Sequence, residues 1–308
     1  MPTLNSNAKK MNKAAWILKI SRPRFWSYLV GPWAVGMVIA ASNFSDFKAV
    51  LFWIGFLFFL WPANFFLYGL NDFADQDTDY FNPKKSTYEE RYRNSQNKPL
   101  ILVMSMIGAM TLLFMWILPT WPSKFVLMLW LLLASFYSLP PIRFKSRLFF
   151  DSFSNVLYIL PSLIIFLAYH PPSKISWPIF GAAWLWSMGM HLFSALPDIS
   201  ADKNAKVKTT AVWLGFKSAS ILTLLYFTAA VVMFSLSVEL WLGLTGFVAY
   251  CLPTLFVYFN KEDSDRIMKT YKIFPLINAF CGGCLFVYVF FQNNLFGYWI
   301  SWKIAYRF

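Results

Sequence analysis

Apolar runs, each near the length of a helix that crosses a bilayer, recur along this chain from Phe25 onward. About 20 such residues in α-helix span a hydrocarbon layer of about 30 Å, where no water bonds to free backbone groups. A chain that repeats the pattern has few ways to fold other than as a bundle of membrane helices. Nine spans are predicted, at 25–42, 49–70, 100–118, 125–139, 149–169, 177–196, 219–236, 238–259 and 273–291. The expected fold class is an all-α membrane protein with nine transmembrane helices. Almost no loop separates the seventh and eighth spans at Glu239. Composition agrees: 58% of the 308 residues are hydrophobic and 13% are charged, where soluble domains are about one-quarter charged. The expected organisation is a basic N-terminus (1–24), one membrane domain (25–300) and a short tail (301–308), with no cleaved signal peptide.

The formal charge of +13 would suggest nucleic acid in a soluble protein. In a membrane protein it is first tested as topology, because cytoplasmic connections carry the excess of Lys and Arg. The predicted connections alternate in kind. The N-terminus and the segments 71–99, 140–148, 197–218 and 260–272 hold 22 of the 27 Lys and Arg, and the opposite connections with the tail hold 5. That bias places the first set in the cytoplasm and explains most of the charge without a nucleic-acid partner. The three cysteines all lie in apolar runs. Cys281 and Cys284 have a redox-like spacing but no second ligand pair, so they read as helix-packing residues.

Against this background the stretch LYGLNDFADQDTDYFNP (67–83) stands out, because it places four aspartates directly after the second span. If the helix continues, Asn71, Asp75, Asp79 and Asp72 sit at about 0°, 40°, 80° and 100° around it, while Asp77 points away at about 240°. A second pair, Asp198 and Asp202, ends the sixth span with i, i+4 spacing. Both clusters fall on the same predicted side. Gathered carboxylates repel, and each costs a few kcal/mol near a membrane if left unpaired. Mg²⁺ is a fitting counter-charge, since it takes one or two carboxylates together with substrate phosphates. Cations are interleaved: Arg22 before the first span, Lys98 before the third, Arg143 and Lys145 after the fourth, and Lys203, Lys206 and Lys208 after the second acidic pair. Carboxylates for metal beside bases for phosphate oxygens suit a diphosphate better than a bare cation. His191 reads as a helix-packing residue, and Asp151 as a helix-start residue one turn from Asn155. A cation transporter is the rival reading, but its ionisable groups would be expected near the midplane.

These segments resemble the UbiA-type intramembrane prenyltransferases. Asn71-Asp72-x-x-Asp75-x-x-x-Asp79 is similar to that family's first Asp-rich motif and Asp198-x-x-x-Asp202 to its second. YSLPPIRFK (137–145), SRPRFW (21–26) and the run from Asp198 to Gly215 resemble its flanking segments. FNPKKSTYEERY (81–92), DSFSNVLYILP (151–161) and MHLFSALPD (190–198) are most similar to its carotenoid branch, the lycopene elongases. The chain departs from the family at Lys206, often Gly, and at Lys98-Pro99, often Arg-Pro.

The resemblance implies a nine-helix bundle around a central cavity in the cytoplasmic membrane. It implies Mg²⁺ on Asp75, Asp79, Asp198 and Asp202, with Asn71 and Asp72 completing the catalytic set. Lys145, Lys208, Arg143 and Arg22 would bind the diphosphate of a prenyl donor. The partner would be a lipophilic acceptor in the bilayer, a carotenoid such as lycopene receiving C5 units from dimethylallyl diphosphate. A quinone-precursor ring is the alternative acceptor.

Overall fold

The structure, a computed structural model, describes residues 13–75 and 97–293, and all regular structure among them is helical. Helix α1 (Lys13–Ile20) and a 3-10 turn (Pro23–Phe25) lead into α2 (Ser27–Ala40). Helices α3 (Val50–Leu60) and α4 (Pro62–Ala74) meet at Trp61, with Pro62 in the first turn of α4, where its missing N–H leaves nothing unbonded. Next come α5 (Asn97–Ile117) and α6 (Trp121–Ser138). The fifth span is broken: α7 (Phe150–Phe153) and the turn Ser154–Tyr158 meet α8 (Leu160–Tyr169) at a 43° bend. Helix α9 (Trp177–Ala195) runs through the turn Leu196–Asp198 into α10 (Ile199–Asn204). Four more follow: α11 (Thr210–Ser237), α12 (Leu240–Gly246), α13 (Leu252–Phe259) and α14 (Ser264–Gln292). The weakly marked boundary at Glu239 is a real break between α11 and α12.

Every predicted span falls on helix, but not every helix could cross a bilayer alone. Among the described residues six helical segments are long and apolar enough, or seven if the bent pair is one span. The remaining two predicted spans coincide with α2 and α6. Helix α2 is only 14 residues long, because Pro23–Phe25 form a separate turn and the helix stops before Ala41.

Two apolar cores hold the bundle. One gathers α1 to α6 and α8 around the fully buried Trp33, Phe59, Phe65 and Trp130. Gly36 of α2 makes this packing possible: a Cβ there would come within 2.6 Å of the Ser162 backbone, a close approach small residues permit between membrane helices. The other core joins α9, α11, α13 and α14, with Phe193 stacked on Phe274 at 4.1 Å and Phe227 beside them. Tyr28 of α2 packs against both. Large apolar side chains also face outward, among them Trp116 (81% exposed), Trp121 (82%) and Phe280 (73%). Water would penalise that surface, whereas acyl chains cover it. With the apolar helices, it makes this a multi-pass membrane protein.

Candidate functional site

A cavity lies between the two cores, and residues from both acidic motifs line it. Asn71 and Asp75 come from the end of α4, Asp198 from the turn after α9, and Asp202 from α10. Asp198 and Asp202 open the short α10 beyond α9, whereas Asn71 lies in the last turn of α4 and Asp75 caps its C-terminal end. There the unsatisfied carbonyls make the helix terminus partly negative, so an added carboxylate is disfavoured unless cations offset it.

Cations from other helix ends do so at the first motif. Arg143 Nη2 donates to Asp75 Oδ1 at 2.9 Å, and Lys145 Nζ donates to Asp75 Oδ2. Burial pushes the Asp75 carboxyl up, but Lys145 and Arg143 together more than offset it and hold it below its ordinary 3.8. Depression of this sign stabilises the fold above the ordinary carboxylate pKa, and the contribution is lost as pH falls through the depressed value. Asp75 is therefore an anion near neutral pH. Asp72 takes a separate position. It is 3% exposed and accepts from Arg22 Nη2 at 2.8 Å, and Arg22 in turn lies 4.7 Å over the Tyr68 ring. Asp72 does not line the cavity, although Arg22 does.

Arg22 and Arg143 share a second property. Both have left-handed backbones (φ 50° and 47°), a conformation that costs a non-glycine residue of order 1–3 kcal/mol. Each opens a 3-10 turn and turns its guanidinium onto an acidic-motif carboxylate. Lys206, where glycine is common in the resembling family, is also left-handed (φ 57°), which explains that preference. Gly215, at the end of the same basic segment, has φ 72° and kinks α11.

The structure does not bring every predicted residue together. Asp79 lies outside the described residues. Lys208 sits between two lining residues, Val207 and Thr209, but its side chain is exposed, as are those of Lys203, Lys206 and Lys98. The acidic motif is also shorter as helix than its spacing predicts, because α4 ends at Ala74 and Asp75 is its C-cap.

Above the charged end the cavity is aromatic. Phe25, Tyr28, Tyr68, Tyr158 and Trp186 line it, with the Tyr68 and Tyr158 hydroxyls 3.4 Å apart and Tyr28 accepting from Asn278 at 2.7 Å. Three further residues meet here: His191 and Asp151, read from the sequence as packing and helix-start residues, and Tyr137, which the sequence reading did not single out. Tyr137 and His191 line the cavity, and Tyr137 Oη is 3.3 Å from His191 Nδ1. His191 Nε2 is 4.0 Å from Oδ2 of the fully buried Asp151. Asp151 does sit in the first turn of α7, as expected, but it also accepts from Thr210 N and Thr210 Oγ1, both at 2.6 Å, and so anchors the start of α11. The available signal was that ionisable side chains within a span are functional by default.

No three metal-type side chains converge among the described residues. The donor set nevertheless fits Mg²⁺, a hard ion that takes one or two carboxylates and completes its shell with phosphate oxygens and water. Carboxylates from both motifs and the cationic side chains of Arg22, Arg143 and Lys145 in one cavity lining match that chemistry.

The UbiA prenyltransferase family profile matches residues 29–278. A lycopene elongase/hydratase of Haloarcula japonica is 46% identical over 201 residues, 65% of this chain and 67% of the relative. The Haloferax volcanii protein of the same name is 37% identical over 275 residues, 88% of this chain and 87% of the relative. Among solved structures, a UbiA homologue of Archaeoglobus fulgidus bound to GPP and Mg²⁺ superposes with TM-score 0.66 at 19% identity, over 88% of this chain and 99% of that one. An apo UbiA homologue of Aeropyrum pernix K1 gives TM-score 0.68 at 15% identity, over 87% and 98%. The solved structures establish a shared fold, the profile and relatives establish descent, and the chain belongs to the UbiA prenyltransferase family as a prenyltransferase.

Proposed function

We propose that this enzyme is a Mg²⁺-dependent intramembrane transferase moving a C5 allylic group from dimethylallyl diphosphate to lycopene or a related C40 polyene. The observation that carries the reading is the lining of one cavity by both acidic motifs together with Arg22, Arg143 and Lys145. Two relatives named lycopene elongase/hydratase, at 37% and 46% identity, support a polyene acceptor. A fold neighbour bound to DMAPP and Mg²⁺ supports the donor and the metal. The chain crosses the cytoplasmic membrane nine times in this reading, with the N-terminus and both acidic motifs inside, as the Lys and Arg bias requires.

Asp75, Asp79, Asp198 and Asp202 would hold Mg²⁺, with Asn71 beside them. When bound, the ion supplies Lewis acidity that offsets charge on the departing diphosphate. The chain's own cations do related work: Arg143 and Lys145, paired with Asp75 in the structure, turn to phosphate oxygens when the donor arrives, and Arg22 flanks them. Such preorganised charge counts for most where charge develops in a dry site. As the allylic C–O bond breaks, Tyr28, Tyr68, Tyr158 and Trp186 exclude water and offer π-faces to the cation. The acceptor double bond then attacks that carbon.

Expression in lycopene-producing cells, with pigments resolved by mass, tests the reading. Gain of one or two C5 units is expected. Unaltered lycopene in cells with verified membrane expression would refute it.

A further inference from the structure

Joining an allylic cation to an alkene leaves positive charge on the acceptor. That charge is discharged by loss of a C–H proton or by capture of water, and each route frees one proton inside the cavity. This inference rests on the proposed transfer to a polyene and asks which group takes that proton.

We propose that Tyr137, His191 and Asp151 form the proton-accepting chain that ends the reaction. Tyr137 from the end of α6 and His191 from α9 both line the cavity, and their polar atoms are 3.3 Å apart. Asp151 lies behind the imidazole, 4.0 Å from Nε2 and 0% exposed. Three donors hold its carboxylate: Thr210 N and Oγ1 at 2.6 Å each and Ser152 N at 2.7 Å. The Thr210 hydroxyl also accepts from Phe149 N at 2.6 Å, so its own proton is directed at Asp151. A carboxylate is an acceptor only and matches this donor set. Apolar packing would not call for a fixed anion behind a cavity-facing histidine, whereas a histidine that becomes cationic needs one.

The step balances. The C–O electron pair leaves with the diphosphate, and the acceptor π pair becomes the new C–C bond. The C–H pair of the adjacent carbon becomes the new double bond. Its proton passes to the Tyr137 oxygen as the Tyr137 proton moves to His191 Nδ1, and the imidazolium faces Asp151. If water is captured instead, its oxygen forms the C–O bond and its surplus proton follows the same path. Asp151 is a positioning residue, while Tyr137 meets the acceptor.

The test uses full-length enzyme in membranes with dimethylallyl diphosphate, Mg²⁺ and lycopene, and measures both diphosphate release and C5 incorporation. His191→Gln keeps hydrogen bonding but cannot become a cation, and Tyr137→Phe removes the hydroxyl. In both variants C5 incorporation is expected to fall about 10²-fold, the scale of lost general-base catalysis. Diphosphate release should fall much less, with dimethylallyl alcohol accumulating, so the two yields uncouple. A parallel fall in both yields would mean a structural role and overturn the proposal. Unchanged coupling would overturn it too, leaving the diphosphate as the base. If wild-type enzyme adds no C5 unit, the polyene reading falls and this chain of residues with it. Wild-type elongation with fully coupled variants removes the present inference alone.

Discussion

The two acidic motifs look alike in sequence, since each ends a span and each has bases nearby. In the structure they differ. The first is met by cations from elsewhere in the chain: Arg22 from the turn before α2 pairs with Asp72, and Arg143 and Lys145 from the turn after α6 pair with Asp75. The second turns Asp198 and Asp202 to the cavity while its neighbouring lysines, Lys203, Lys206 and Lys208, are exposed. Of the named cations, Arg22, Arg143 and Lys145 meet the first motif's carboxylates, and nearness in sequence to an acidic motif does not mark them out. Those near the second motif have the placement expected of charges that set topology, whereas those at the first reach the buried Asp72 and the partly buried Asp75 from across the fold.

If both motifs serve one site, removing a carboxylate from either should be equally severe. Asp75→Ala and Asp202→Ala are each expected to lower Mg²⁺-dependent diphosphate release about 10³-fold or more, as loss of charge stabilisation in a dry site does. Retained turnover in Asp202→Ala alone would separate the motifs and break the comparison. A smaller loss, about 10²-fold in the same assay, is expected for Lys145→Ala, because Arg143 still faces Asp75. Arg22→Gln should act on stability. It leaves Asp72 buried without its guanidinium, a defect worth about 3–5 kcal/mol, read as a lowered midpoint of thermal unfolding in detergent. Arg22→Lys should recover part of it, since a point charge replaces the fork. Lys208→Ala is expected to change diphosphate release by less than about twofold, as exposed charges contribute little. A tenfold loss there would return the basic segment to the site.

Much of this was legible beforehand. The length of the apolar runs marked helix at every predicted span, and the i, i+4 spacing put Asp198 and Asp202 on one face, which the cavity lining bears out. The first motif was legible only in part. Its spacing put Asp72 on the shared face with Asn71 and Asp75, yet Asp72 turns to Arg22, 50 residues away. Helical phase locates a residue around its own axis and carries no information on which neighbour stands there. The same limit hid the Tyr137, His191 and Asp151 group, whose members come from three spans and touch only after the bundle packs.

By itself the chain determined that it would enter a membrane, where its helices would lie, and that its acidic pairs would follow the ends of apolar runs, because hydrophobicity and helical period are local properties. Tertiary structure alone decided which cations face Asp72 and Asp75, which lysines stay outside, and that His191 stands between a phenol and a buried carboxylate. Those choices depend on distances of a few ångströms between helices remote in sequence, and packing is what sets them.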